Sequence, residues 1–278
     1  PLWVVVIANV LNGALDLVLV FGLGFGLGGI AAATVAAEVV AVLVFAVLIR
    51  RAGLPLAGHG LPSREQVRDL VVVSRDLFLR TGGLLAGFLA ITAAAARTDA
   101  TTAAAHQVIW QVFILVSFLM DGFAIAAQSI VGGALGRGDV DDARTTARAL
   151  VWWGVLGGGL LGVALLLARG PVAGIFTSDP AVLAAVAGAW WLATLGHALN
   201  GLVFVLDGVV MGAADFRYLR TWTVLAAVVA GTLAQVGVAL GAGLLFLWAC
   251  AELLMLVRGA SLAWRIRGTA WLQSDLAR

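Results

Sequence analysis

Long apolar stretches broken by short polar ones run through the whole chain. They fall at about 2–22, 28–49, 77–97, 103–133, 147–168, 181–212, 219–240 and 243–264. Each is long enough for a helix to cross a hydrocarbon core about 30 Å thick, which takes roughly 20 residues. None alternates with the period of two that marks a membrane barrel strand. Backbone groups in lipid must be satisfied within their own segment, so the pattern predicts helices. The fold class is an all-α membrane protein of about eight transmembrane helices. The runs at 103–133 and 181–212 exceed the need, and are expected to tilt or to project beyond the lipid.

Composition agrees with this. Of 278 residues, 62% are hydrophobic and 12% charged, against about 45–50% and about 25% in soluble domains. All seventeen basic residues are arginines, and net charge is +2. They lie between the apolar runs rather than on one patch, so nucleic acid is not an expected partner. Cys250 stands alone in an apolar run, which excludes an intrachain disulfide. The first run starts at once behind Pro1, without a basic leader region, and reads as a spanning helix rather than a signal peptide.

Arginine placement orients the helices. Arg50, Arg51, Arg64 and Arg68 occupy the stretch 50–69; Arg137, Arg144 and Arg148 cluster around 134–148; Arg217 and Arg220 follow 213; Arg265, Arg267 and Arg278 lie at the end. The alternate set of loops holds only Arg97 and Arg169. The first set is expected on the cytoplasmic side of the inner (plasma) membrane, which places both ends of the chain there. The stretch 50–69 is the long polar connection, with the turn residues Pro55, Gly58, Gly60 and Pro62. It reads as a hinge, so the expected organisation is a helix pair over 1–52, a linker over 53–69, a six-helix lobe over 70–268 and a tail over 269–278. Ala37-Glu38 and Ala251-Glu252 recur at an offset of 214, as do Arg51 and Arg265. This suits an internal repeat of the kind transporters use, or a chance similarity of apolar helices.

Polar side chains within the runs are the candidate chemistry, since an acid at mid-bilayer costs about 2.5–3.5 kcal/mol on insertion scales. On the first helix Asn9, Asn12 and Asp16 share a face, with Asn12 and Asp16 at i,i+4. Thr34 on the second helix can add a hydroxyl oxygen. One carboxylate among neutral oxygens holds a proton or a small hard cation such as Na⁺; the alternative is an interhelical hydrogen-bond cluster. Asp76 and Arg80, also at i,i+4, read as a structural ion pair near the cytoplasmic face, the alternative being a gate or substrate contact. Gln107, Gln111, Asp121 and Gln128 lie within about 100° on the fourth helix, and Asn200 and Asp207 share a face of the sixth. These six are candidates to line a cavity in the second lobe, or else to hydrogen-bond between helices. Glycines 201, 208 and 212 around Asp207 allow close packing or a bend. His59, His106 and His197 lie in separate elements, and no phosphate loop, metal-ligand spacing or nucleophile–base arrangement is present. The chain does not read as an enzyme, and no cofactor or resident metal is expected.

Three segments carry a family resemblance: ANVLNGALDLVLVFGLGFGLGGIAAATVAAE, TTAAAHQV with MDGFAIAAQSIVGGALGRGD, and LDGVVMGAADFRYLR. They resemble the multidrug and toxic compound extrusion (MATE) transporters, most of all the DinF-like branch, at its fifth and sixth helices, its eighth helix and the end of its tenth. The resemblance implies helices five to twelve of a twelve-helix, two-lobed bundle, without the first four. It implies an antiporter that exports amphipathic, often cationic drugs in exchange for H⁺ or Na⁺. The family's first-lobe cation site maps onto Asn12, Asp16 and Thr34, while the acid that the family's first helix adds has no counterpart here. Alternatives are a lipid-linked oligosaccharide flippase of similar fold, whose cavity should be strongly basic, and a non-transporting membrane scaffold. The oligomeric state is open on sequence alone.

Overall fold

The computed structural model describes residues 2–53 and 62–273, and the chain divides into two compact units, Pro1–Arg64 and Glu65–Arg278. The described residues form α-helices throughout, apart from turns, one π-helical segment and one closing 3₁₀ turn.

In the first unit α1 (Leu2–Asp16) runs into the π-helical segment Leu17–Gly22, and α2 (Gly26–Arg51) folds back against it. The intervening turn places Gly24 at φ +69° and Gly26 at φ +54°, backbone that favours glycine. Gly29, Ala33 and Ala37 are the buried residues of α2, spaced four apart, so a stripe of small side chains lets the two backbones approach.

The second unit comprises α3 (Arg64–Ala96), α4 (Ala100–Gly136), α5 (Val140–Leu167), the short α6 (Arg169–Phe176), α7 (Pro180–Leu195), α8 (His197–Gly212), α9 (Phe216–Ala239) and α10 (Leu244–Arg267). Helix starts follow local chemistry. Asp99 accepts from the Thr102 N–H at 2.8 Å, Asp139 from the Asp142 N–H at 3.0 Å, and Asp179 from the Ala181 N–H at 2.8 Å with Pro180 in the first helical position.

α8 lies between α4 and α5 on glycine seams. A Cβ added to Gly158 of α5 would stand 2.1 Å from the His197 carbonyl oxygen, and one on Gly162 2.2 Å from that of Thr194 at the end of α7. On the other side Gly208 and Gly212 press on the carbonyl oxygens of Ala124 and Gln128 of α4. Gly83 and Gly87 of α3 make room instead for the side chains of Val224 and Ala227 of α9. The interior is apolar and aromatic, with Trp190, Trp248 and Leu206 fully buried. Large apolar side chains also cover the outside, among them Phe118, Trp152, Leu167 and Leu240. That surface suits lipid and not water.

Among the described residues seven helices are each long and apolar enough to cross a membrane, and α7 with α8, bent by 43°, makes an eighth when the pair is taken as one span. The run at 181–212 is therefore two helices meeting at Gly196 rather than one tilted helix. α3 begins at Arg64, inside the stretch read as linker, because Glu65 and Arg68 are good helix formers at i,i+3. Of the hinge residues Pro55, Gly58 and Gly60, and of the tail, positions 54–61 and 274–278 lie outside the described residues.

Candidate functional site

In the first unit the structure brings Asn12, Asp16 and Thr34 together. Asn12 and Asp16 sit one turn apart on α1, and Thr34 faces them from α2. With the Asn12 amide turned to satisfy both neighbours, its nitrogen donates to Asp16 Oδ2 at 3.1 Å. Its oxygen then lies 3.2 Å from Thr34 Oγ1 and accepts from the Thr34 backbone N–H at 3.1 Å. Thr34 Oγ1 is also 3.0 Å from the Ile30 carbonyl oxygen. Asp16 Oδ1 is buried and has no partner. Asn9 takes no part: its amide donates to the Val5 carbonyl of its own helix at 2.8 Å.

The helix widens from α to π directly after Asp16. Such π segments concentrate at functional sites, where an inserted residue re-aims a side chain. No feature of the sequence announced it, because apolar Leu17–Gly22 fits either helix. The arrangement offers a carboxylate oxygen with free capacity beside an amide and a hydroxyl oxygen, a donor set for a proton or a hard monovalent cation. Glu38, one turn beyond Thr34, is exposed.

In the second unit the six candidate residues separate. Asn200 and Asp207 are buried at 1% and 4% exposure. Gln107, Gln111 and Asp121 are exposed and Gln128 is half-buried. The polar stripe of α4 is the face opposite its buried residues His106, Ile109, Val112, Met120 and Ala127, so the six do not line one enclosed cavity.

Asp207 is the centre of a buried ion cluster. Arg80 of α3 and Arg258 of α10 both donate to its Oδ2. Arg258 is itself 3% exposed, and its Nη1 lies 3.3 Å from Met255 Sδ. The Nε atoms of both arginines and Asp207 Oδ1 are buried without partners.

The expected Asp76–Arg80 pair does not form. Asp76 instead accepts from Arg75, at 2.8 Å, and from Arg220 of α9, at 2.6 Å. Asp76 faces α9 while Arg80 is drawn to the buried Asp207, and a buried opposite charge outweighs an i,i+4 contact worth about 0.2–0.5 kcal/mol. Arg80 and Arg258 both lie within apolar runs of the sequence, which does not by itself connect them to Asp207. The available signal was the expense of an intramembrane charge, which asks for an opposite partner.

His197 is a hydrogen-bonded interior residue, its Nδ1 3.1 Å from Asn200 Nδ2. His106 Nε2 lies 3.0 Å from Thr92 Oγ1. Among the described residues no three His, Cys, Asp or Glu side chains gather to hold a metal.

Comparison with known proteins places these features. The family model MatE matches residues 84–236. The chain is 32% identical over 275 residues to Protein DETOXIFICATION 44, chloroplastic, of Arabidopsis thaliana, covering 96% of this chain and 50% of that protein. It is 29% identical over 284 residues to DNA damage-inducible protein F of Escherichia coli, covering 95% and 59%. A crystal structure of MATE in the straight conformation superposes with a TM-score of 0.86 at 21% identity, over 97% of this chain and 62% of that one. A MOP superfamily transporter from Pyrococcus furiosus superposes with a TM-score of 0.85 at 19% identity, over 98% and 63%. The chain thus spans about half the length of the curated relatives it matches. With a family model over more than half its length and a relative aligned nearly end to end, this multi-pass membrane protein belongs to the MATE family and is related to its DinF-like members.

Proposed function

We propose that the chain provides the ion-coupling helix pair and the second lobe of a secondary active exporter, which moves amphipathic, often cationic molecules outward in exchange for H⁺ or Na⁺. The observation that carries this reading is the contact of Asn12, Asp16 and Thr34 around a buried carboxylate oxygen with no partner. A carboxylate in that position takes up a proton or a cation, and the two compete for one site. Exchange follows when substrate and ion favour different conformations, because a ligand shifts an equilibrium only by its differential affinity. The family relationship and the relatives' membrane fold support transport over a scaffold.

The flippase alternative needs a basic surface for pyrophosphate. The two interior arginines of α3 and α10 are instead committed to Asp207.

The test is ion-driven accumulation of a cationic dye inside inverted membrane vesicles, the direction that corresponds to efflux from the cell. Asp16→Asn removes the titratable charge while nearly keeping shape, and is expected to abolish coupled efflux with expression and insertion close to normal. Thr34→Ala is expected to weaken apparent ion affinity by a factor of about five, the worth of one contact of about 1 kcal/mol. Full ion-driven efflux by a well-expressed Asp16→Asn protein would refute the coupling role.

A further inference from the structure

We propose that Glu252 is a proton-binding site of the second unit, seated against the break between α7 and α8. Glu252 is carried into the interior by α10 and is 9% exposed. Neither of its carboxyl oxygens has a hydrogen-bond partner among the described residues. The carboxyl group rests on Gly196: a Cβ there would stand 2.3 Å from its carbon and from both oxygens. Gly196 is the residue at which α7 stops and α8 starts, with the axis turning by 43°. A side chain at position 196 would push the carboxyl group from this place.

Among the described residues the surroundings supply no counter-charge. α8 brings His197, engaged with Asn200. α4 brings His106, which meets Thr92 and packs its ring 5.7 Å from that of Trp248, and Asp121 on its opposite, exposed face. α7 has no titratable side chain. α9 has Arg217, Tyr218 and Arg220 in its first turns, with Tyr218 donating to the Ser261 carbonyl and Arg220 to Asp76. On α8 and α10 themselves, Asp207 is held by Arg80 and Arg258, Arg265 is held by Asp215, Arg267 lies at the exposed end of α10, and Cys250 is a buried free cysteine. Trp248, one turn before Glu252, is 1% exposed and its indole N–H has no partner.

A buried carboxylate without cation, donor or solvent is expelled or neutralised. Uptake of one proton from bulk water converts the carboxylate to a carboxylic acid that fits beside the Gly196 backbone, with no other bond changed. Release of that proton leaves an anion that the backbone N–H groups at the start of α8 attract. They become reachable as the bend rearranges and water enters. Protonation of Glu252 thereby holds the bent α7–α8 packing, and deprotonation loosens it. The site lies on α10, is separate from Asp16 on α1, and does not depend on whether the protein exports anything.

The test is infrared difference spectroscopy on the purified chain in nanodiscs, taken between mildly acidic and mildly alkaline buffer, with tryptophan fluorescence in parallel. Wild type is expected to show a slowly exchanging carboxylic-acid band that disappears at alkaline pH, together with a fluorescence shift of the same midpoint. Glu252→Gln is expected to lose the band and the shift while keeping its helical circular dichroism. An unchanged band in Glu252→Gln overturns the proposal. Should that variant not fold, the Asp16→Asn protein, which lacks the other carboxyl read as a proton site, decides alone. In that protein a spectrum in which every carboxyl exchanges at once with D₂O overturns the proposal, as does a band abolished by Na⁺ at constant pH, which would mark a metal-cation site instead.

Discussion

At the scale of single residues, the second unit is organised by charges that have no water to turn to. Asp207 balances two guanidinium groups with one oxygen, and all three side chains are largely withdrawn from solvent. Removing one partner of such a group is costly because the remaining charge stays buried and uncompensated. Asp207→Asn leaves Arg80 and Arg258 facing each other, and is expected to destabilise the protein by about 3–5 kcal/mol. Arg258→Met is milder, because Arg80 still compensates Asp207 and methionine refills the volume. Denaturant unfolding in detergent distinguishes the two; equal losses would mean that Arg80 does not share the load. The burial of Asp207 was legible in the sequence, because an acid inside an apolar run must be paired. Its partners were not, because they lie 127 and 51 positions away and a helical wheel gives a face without naming what faces it. The Asn12–Asp16–Thr34 contact was legible for the opposite reason. Two of its members are one turn apart, and the third sits on the next helix of a tight hairpin.

Among the helices, packing is governed by where side chains are absent. Gly158→Ala drives a methyl group into the His197 carbonyl across the α5–α8 seam. It is expected to cost at least about 1–3 kcal/mol, the range for overpacking, since backbone and not a flexible side chain must move. Gly188→Ala in α7 meets nothing within 4 Å, and is expected to stabilise by up to about 1 kcal/mol through helix propensity. Opposite signs in thermal melts verify the seam; a neutral Gly158→Ala would show that α5 and α8 separate freely. The seam was partly readable from glycines 201, 208 and 212, whose close-packing role α4 and α5 bear out. The break at Gly196 was not readable: hydropathy continues unchanged through it, and glycines inside membrane helices are common. What marks the break is Glu252 on another helix, a contact no local pattern encodes. The Ala37-Glu38 and Ala251-Glu252 recurrence matches in one respect only. Both alanines are buried, but Glu38 is exposed while Glu252 is interior.

For the whole molecule, the distribution of arginine ties the fold to the membrane. α4 has 37 residues, about 55 Å at 1.5 Å per residue, so its two ends lie beyond opposite faces of a core about 30 Å thick. At the end near Gly138, Arg144 and Arg148 of α5 share with Arg267 of α10 a groove of about 360 Å³. The beginning of α9 and the end of α10 carry Arg220 bound to Asp76 and Arg265 bound to Asp215. At the far end stands Arg97, donating to Gln235 at 2.7 Å. Positive charge is retained on the cytoplasmic side during insertion, so the proposed orientation puts the Gly138 end inside the cell. A reporter fused after Arg51 or Gly138 is expected to read cytoplasmic, and one after Arg97 or Ser178 external. The same arrangement predicts that a membrane-impermeant thiol reagent labels a cysteine introduced at Ser178 in intact cells, and one at Gly138 only after the cells are opened. Reversed labelling at two of the four positions would invert the orientation. It would put the arginine-lined groove and the Asp76 and Asp215 ion pairs on the outer face, where the insertion rule gives no reason for the arginines to gather.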